Sequence, residues 1–143
     1  MRTRTSRDDH RMDKMADAIM DIGELSSNGV PILVEGKRDE GALKELGIKG
    51  RIIRVRQYRK KVFELGEELS SYKSVIVLTD FDKEGEHLAE EIERQLHLWG
   101  VQTVMRERVK SAVSWATRQI EGLSKVKGMQ EKLNNKQFIM NSS

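Results

Sequence analysis

The 143-residue chain contains no cysteine, which excludes disulfides and thiolate metal sites and suits a reducing cytosol. Its apolar runs are only a few residues long, far short of the roughly 20 residues that a spanning helix needs. The excess of basic over acidic residues is also small. With 26 Lys+Arg against 23 Asp+Glu the formal net charge is +3, too mild by itself to define a nucleic-acid binder. The start, Met1-Arg2-Thr3-Arg4-Thr5-Ser6-Arg7, has the arginines of a transit peptide but turns acidic at Asp8, Asp9 and Asp13 with no apolar stretch behind it. It reads as a frayed terminus of a cytoplasmic protein with no membrane segment. No internal repeat or low-complexity segment is present, and His10, His87 and His97 show no ligand spacing. A chain of this length has room for one domain and buries roughly two thirds of its unfolded surface, so it folds without staples.

What is present is an alternation of apolar patterns. Met12, Met15, Ala16, Ile19 and Ile22 recur at helical spacing and end in Ser26-Ser27-Asn28-Gly29. Pro31-Ile32-Leu33-Val34 is a continuous apolar run suited to a strand buried on both faces. Ala42, Leu43 and Leu46 predict a short helix that stops at Gly47, and Ile52-Ile53-Arg54-Val55 a weaker strand. The stripe Val62, Leu65, Gly66, Leu69 precedes the strongest strand, Val75-Ile76-Val77-Leu78-Thr79. Leu88, Ile92, Leu96 and Trp99 mark a helix ending at Gly100, and Val101–Met105 a fourth strand. A last stripe, Val109, Ala112, Val113, Ala116, Ile120 and Leu123, extends toward Val126, Met129 and Leu133. Trp99 and Trp115, on these stripes, are expected in the core. Strands alternating with helices of this length predict an α/β domain, a four-stranded parallel sheet with helices on both faces and right-handed crossovers. The expected boundaries are an N-terminal arm and helix over 1–29, the domain over 30–125, and a helical or loose tail over 126–143.

Two predicted strands end in carboxylates. Glu35 closes the first, and Asp80 and Asp82 close the third. Sites in open parallel sheets lie beyond the carboxyl ends of the strands, where the strand order reverses. With an order of 2-1-3-4, the three acids converge there. Carboxylates at close quarters repel one another and take up protons unless a cation compensates. An all-oxygen donor set favours Mg²⁺ or Mn²⁺, and such an ion can bridge to a phosphate. Gly36 and Gly85 flank the acids and permit tight turns and close approach by a ligand. Glu84 also reads as a first-turn acid favoured by the helix dipole.

The segments Ile32-Leu33-Val34-Glu35-Gly36-Lys37 and Leu78-Thr79-Asp80-Phe81-Asp82-Lys83-Glu84-Gly85-Glu86 resemble the two signature motifs of the Toprim family. That family spans type IA topoisomerases, bacterial primases, OLD-type nucleases and the ribonuclease that matures 5S ribosomal RNA. VEGKRDE is most similar to the ribonuclease and to small stand-alone Toprim proteins. TDFDKEGE resembles the topoisomerase form TDPDREGE, with Phe81 in place of proline. The resemblance covers Pro31 to Met105 and implies the three-layer, Rossmann-like Toprim fold with an added N-terminal helix and C-terminal helical tail. It implies that Asp80 and Asp82 hold the metal. Glu35 would be the general acid/base or a further metal contact, Glu84 would lie in the outer shell, and Lys37 would contact a phosphate. Only Tyr58 and Tyr72 offer a phenol, and no second domain is legible, so strand passage by a topoisomerase is not expected. Neither are the zinc-binding and initiation modules of a primase.

Basic residues concentrate in Arg51–Lys61 and again in Arg106–Lys110. Arg54, Arg56, Arg59 and Lys60, with Tyr58 among them, suit a phosphate backbone and a stacked base; alternatively, arginines on a weak edge strand discourage aggregation. The expected function is a Mg²⁺-dependent domain acting on nucleic-acid phosphodiesters, a nuclease or a component of an RNA- or DNA-processing machine. The alternative is a non-catalytic module that uses the same metal to bind nucleic acid or nucleotide. A protein partner or a homodimer would supply surface that a small domain lacks. A receiver domain would place its acidic pair after the first strand, and a haloacid-dehalogenase phosphatase its DxD there, so both fit less well.

Overall fold

A computed structural model of the chain describes residues 6–58 and 62–114. The elements are α1 (Ser6–Ser27), β1 (Ile32–Val34), α2 (Lys37–Glu45), β2 (Ile52–Arg54), a 3-10 turn (Val55–Tyr58), α3 (Val62–Glu68), β3 (Ser74–Leu78), α4 (Lys83–Leu98) and β4 (Gln102–Val104). A further helical stretch occupies 106–114. The expected stripe beyond it, Trp115 and the tail over 126–143 lie outside the described residues, as do Met1–Thr5.

The four strands form one parallel sheet in the order β2-β1-β3-β4. β1 and β3, the most apolar strands, take the centre, since both their faces can be covered. Side chains alternate across them with period two. On one face Leu33, Val75 and Val77 pack with Val62, Leu65 and Leu69 around α3 and with Ala89, Ile92 and Leu96 of α4. On the other, Ile32, Val34 and Ile76 meet Ile22 of α1 and Ile48, with Leu43 and Val109 at the margin. These two cores and the sheet between them make the three layers of the α/β Toprim fold. Burying a side chain such as Leu33 or Ile76 stabilises by roughly 1.5–3 kcal/mol, so the two faces supply the main driving force. None of the described helices is long and apolar enough to cross a membrane.

The helix stops lie where glycine marks them. Gly47 and Gly100 take φ of +88° and +74°, a left-handed conformation that disfavours other residues. Two expectations are corrected. Ala16 is exposed, and Ala18 takes its place on the buried stripe of α1. Trp99 is not core but 48% exposed. It lies over Gly66, where an added Cβ would come within 2.3 Å of its ring and 2.7 Å of the Gln95 carbonyl. Close approach of α3 to α4 therefore excludes a side chain at Gly66, and the indole covers the crossing from outside.

Candidate metal centre

All strands of a parallel sheet end at the same edge, and Val34 of β1 pairs with Leu78 of β3. Glu35 follows Val34 directly, while Asp80 and Asp82 follow Leu78, so the three acids are delivered to one place. A carboxylate oxygen of Glu35 accepts a hydrogen bond from the Asp80 backbone N–H at 3.0 Å. Asp82 has extended backbone at the N-cap of α4, and its Oδ1 accepts from the Gly85 N–H at 2.7 Å. That bond satisfies one of the unpaired donors at the helix start.

The loop from β3 into α4 is closely built. The buried hydroxyl of Thr79 donates to the Gly85 carbonyl at 2.8 Å. A Cβ at Gly85 would lie 1.9 Å from the Asp80 carbonyl oxygen, so the first turn of α4 rests on the backbone of Asp80. Gly36 differs. Its φ of −151° is ordinary extended backbone, and an added Cβ would meet only the Arg56 side chain at 3.9 Å. The fold does not require glycine there, and the space above β1 stays open.

Charge follows from this placement. Burial pushes the Glu35 carboxyl above its ordinary value, and the nearby charges of Asp80, Asp82 and Asp39 add to the rise against the lowering effect of the Asp80 N–H. Asp80 is likewise raised, first by desolvation and then by Asp39 and Asp82, with Arg56 and Arg106 opposing. Asp39, the third residue of α2, accepts from the Gly36 N–H at 3.1 Å. It brings a fourth acid to the site that motif reading missed; its signal was the capping spacing of an acid three residues past the helix start. Glu84 is exposed on the first turn of α4 and is not among the principal charges acting on Glu35 or Asp80.

The basic residues divide. Arg56 is exposed and close enough to Asp80 to act on its charge. Arg54 is engaged by Glu40 at 3.3 Å. Arg51 reaches away to the Tyr72 hydroxyl and Glu68. Lys37 is exposed as the first residue of α2. Arg59 and Lys60 lie outside the described residues. In the second basic run, Arg106 is buried rather than solvated, and Glu86 pairs with both Arg106 and Lys110. These two bonds hold the Glu86 carboxyl below its ordinary value.

Among the described residues no three His, Cys, Asp or Glu side chains stand in finished ligand geometry. Glu35 and Asp82 each have one oxygen engaged by a backbone N–H and the other free of that bond. The donor set nevertheless fits a hard divalent cation: it is all oxygen, and the clustered charges add to the raised proton affinities of Glu35 and Asp80.

Sheet order, helix placement and acids after the first and third strands define an α/β domain with a carboxylate-lined site at its switch point. A family model described as Toprim domain matches residues 30–112, and the chain belongs to the Toprim domain family. It is similar to UPF0292 proteins of archaea. It shares 33% identity over 121 residues with that of Thermococcus sibiricus, covering 83% of this chain and 87% of that one. It shares 36% over 112 residues with that of Pyrococcus abyssi, covering 77% and 82%. A solved structure of a protein from Aquifex aeolicus matches with a TM-score of 0.59 at 25% identity, over 71% of this chain and 91% of that one.

Proposed function

We propose that the chain is a Mg²⁺-dependent Toprim domain, with Mn²⁺ able to substitute, that acts on the phosphodiesters of RNA or DNA as a nuclease or as part of a processing machine. The observation that carries this reading is the junction of Glu35 with Asp80 at the ends of adjacent central strands, with Asp82 two residues on. Family membership supports metal-dependent work on nucleic acid.

In this reading Asp80 and Asp82 hold the ion, with Glu35 as a further contact or as the acid/base. Bound there, a divalent cation supplies the missing counter-charge and polarises a phosphate oxygen. The remaining work falls to the chain itself. Glu35, with its raised proton affinity, holds or releases a proton at the oxygen not bonded to Asp80. Lys37 opens α2 and Asp82 caps α4, so two helix N-termini flank the acids and favour an anionic phosphate despite the carboxylates. Arg56 offsets charge beside Asp80, and Glu84, on the first turn of α4, takes the outer shell of the ion in this reading. Arg54, Arg59 and Lys60 extend the basic approach. The domain itself spans 30–125 in this proposal, with the arm and helix over 1–29 and the tail over 126–143 outside it, and a protein partner or a second copy of the chain supplies further surface.

The test is cleavage of a panel of structured RNAs and DNAs by the purified chain with Mg²⁺, Mn²⁺ or EDTA. Metal-dependent cleavage that Glu35→Gln abolishes while binding persists is the expected result. Binding without turnover in both proteins assigns the non-catalytic role. Absence of binding at low salt with Mg²⁺ overturns both as autonomous activities.

A further inference from the structure

We infer that Arg106 is the positioning residue of this acidic site, holding the backbone of Asp80 from below so that its N–H stays aimed at Glu35. The inference deepens the proposed function but rests on it only for its metal-binding arm.

β4 pairs with β3 from Ser74↔Gln102 to Ile76↔Val104 and no further. The chain then turns away at Met105, which takes a φ of +76°, a strained conformation for a residue with a side chain. The turn delivers Arg106 inward, to 6% exposure, under the end of β3. Thr79 and Asp80 lie past the last residue of that strand, and their carbonyls need donors from elsewhere. Arg106 supplies them. One terminal nitrogen donates to the Thr79 carbonyl at 2.8 Å and, at longer range, to that of Val77 at 3.5 Å. The other donates to the Asp80 carbonyl at 3.0 Å. A planar five-donor fork can span these groups, where a lysine ammonium cannot.

The fork is itself fixed. Glu86 accepts from Arg106 Nε at 3.2 Å and from a terminal nitrogen, and is held on its other oxygen by Lys110 at 2.5 Å. The Phe81 ring lies under the guanidinium at 4.7 Å to its centroid, a cation–π contact. Residues 79, 80, 81 and 86 of the second motif thus close around one side chain from β4's far end. An ion pair serving stability alone would not need to bond the two carbonyls that bracket the Asp80 peptide. The chain Glu35–Asp80–Arg106 instead runs from the open acids to the buried charge in two hydrogen bonds.

Amide hydrogen exchange by NMR tests this without metal. In Arg106→Lys, which keeps the charge and loses the fork, the Asp80 amide should exchange about tenfold faster, one decade of local opening, while Ile76 within β3 stays protected. Glu86→Gln, which keeps the bulk and removes the charge that fixes the guanidinium, should raise Asp80 exchange by a smaller factor and serves if Arg106→Lys fails to fold. Lys44→Ala, which removes an exposed pair with Glu40 on α2, should change neither amide. Unchanged Asp80 protection in a folded Arg106→Lys or, should that protein not fold, in Glu86→Gln overturns the inference; loss of protection at Asp80 and Ile76 alike does so too, since the role is then general stability. In the metal arm, Mn²⁺ affinity should fall about tenfold in Arg106→Lys, and an affinity equal to wild type overturns positioning for binding. If the wild type binds no Mn²⁺, the proposed function falls and the amide readout alone decides the role of Arg106.

Discussion

The Glu35 carboxylate and the Asp80 amide, 45 residues apart in sequence, meet in a 3.0 Å hydrogen bond across the ends of β1 and β3. The bond ties the two motifs together and brings two acids of like charge into one small space. Each stays there because the sheet and the α4 turn hold it, and the cost appears as their raised proton affinities. Such a site is poised to gain from a cation.

Gly85→Ala should be among the most damaging single substitutions. Its Cβ would lie 1.9 Å from the Asp80 carbonyl oxygen, which cannot move aside without disturbing its hydrogen bond from Arg106. A loss of about 3 kcal/mol, the upper end of overpacking costs, should appear in urea unfolding. Gly36→Ala should stay within about 1 kcal/mol of wild type, because its backbone is extended and its surroundings open. If the space above β1 receives substrate, Gly36→Ala should instead weaken binding. Equal stability losses in both variants would contradict this distinction.

The raised acids set a pH dependence. A carboxylate with a folded value above its unfolded one favours folding when protonated, so Glu35 and Asp80 add stability as pH falls through their folded values toward about 4.5 and 3.8, their ordinary values. Glu86 acts oppositely: its folded value is lowered, so its contribution is present above about 4.5 and is lost as pH falls further. Asp80→Asn should therefore raise metal-free stability near neutral pH by a few tenths of a kcal/mol, a small effect because solvent screens the open site. Thermal melts across pH 3–8 in EDTA check it. A lower melting temperature for Asp80→Asn at pH 7 would mean that the carboxylate is already compensated.

Nucleic-acid affinity should fall steeply with salt, as counterion release requires. Arg56→Ala should weaken binding more than Arg54→Ala, because Arg56 stands beside Asp80 whereas Arg54 is engaged by Glu40. Filter binding at several salt concentrations reads both affinity and slope. Equal losses would point to a diffuse basic surface instead of an approach centred on the acids.

Much of this architecture was legible because the features involved are local. Ile32–Val34 and Val75–Leu78 are continuous apolar runs ending in acids, and only a central parallel position covers both faces of such strands. The order 2-1-3-4 was the condition for the acids to meet, and the sheet has that order, which brings Glu35 to Asp80. What escaped depends on groups distant in sequence. Arg106 sits in a basic run, and nothing in its neighbours reveals that the Met105 turn sends it beneath β3. Trp99 has the spacing of a core residue, but Gly66 lets α3 approach α4 so closely that the indole is left outside. Asp82 serves as a helix cap as well as a candidate ligand, a double use that the DxD spacing cannot separate.

The most direct measurement is calorimetric titration of Mn²⁺ into the metal-free chain and into Asp80→Asn with Asp82→Asn. One carboxylate site in the wild type is expected to bind the ion, and the double variant to lose it while the far-ultraviolet circular dichroism of the fold is retained. Mn²⁺ binding that survives both substitutions, or a wild type that takes up no ion, would contradict it.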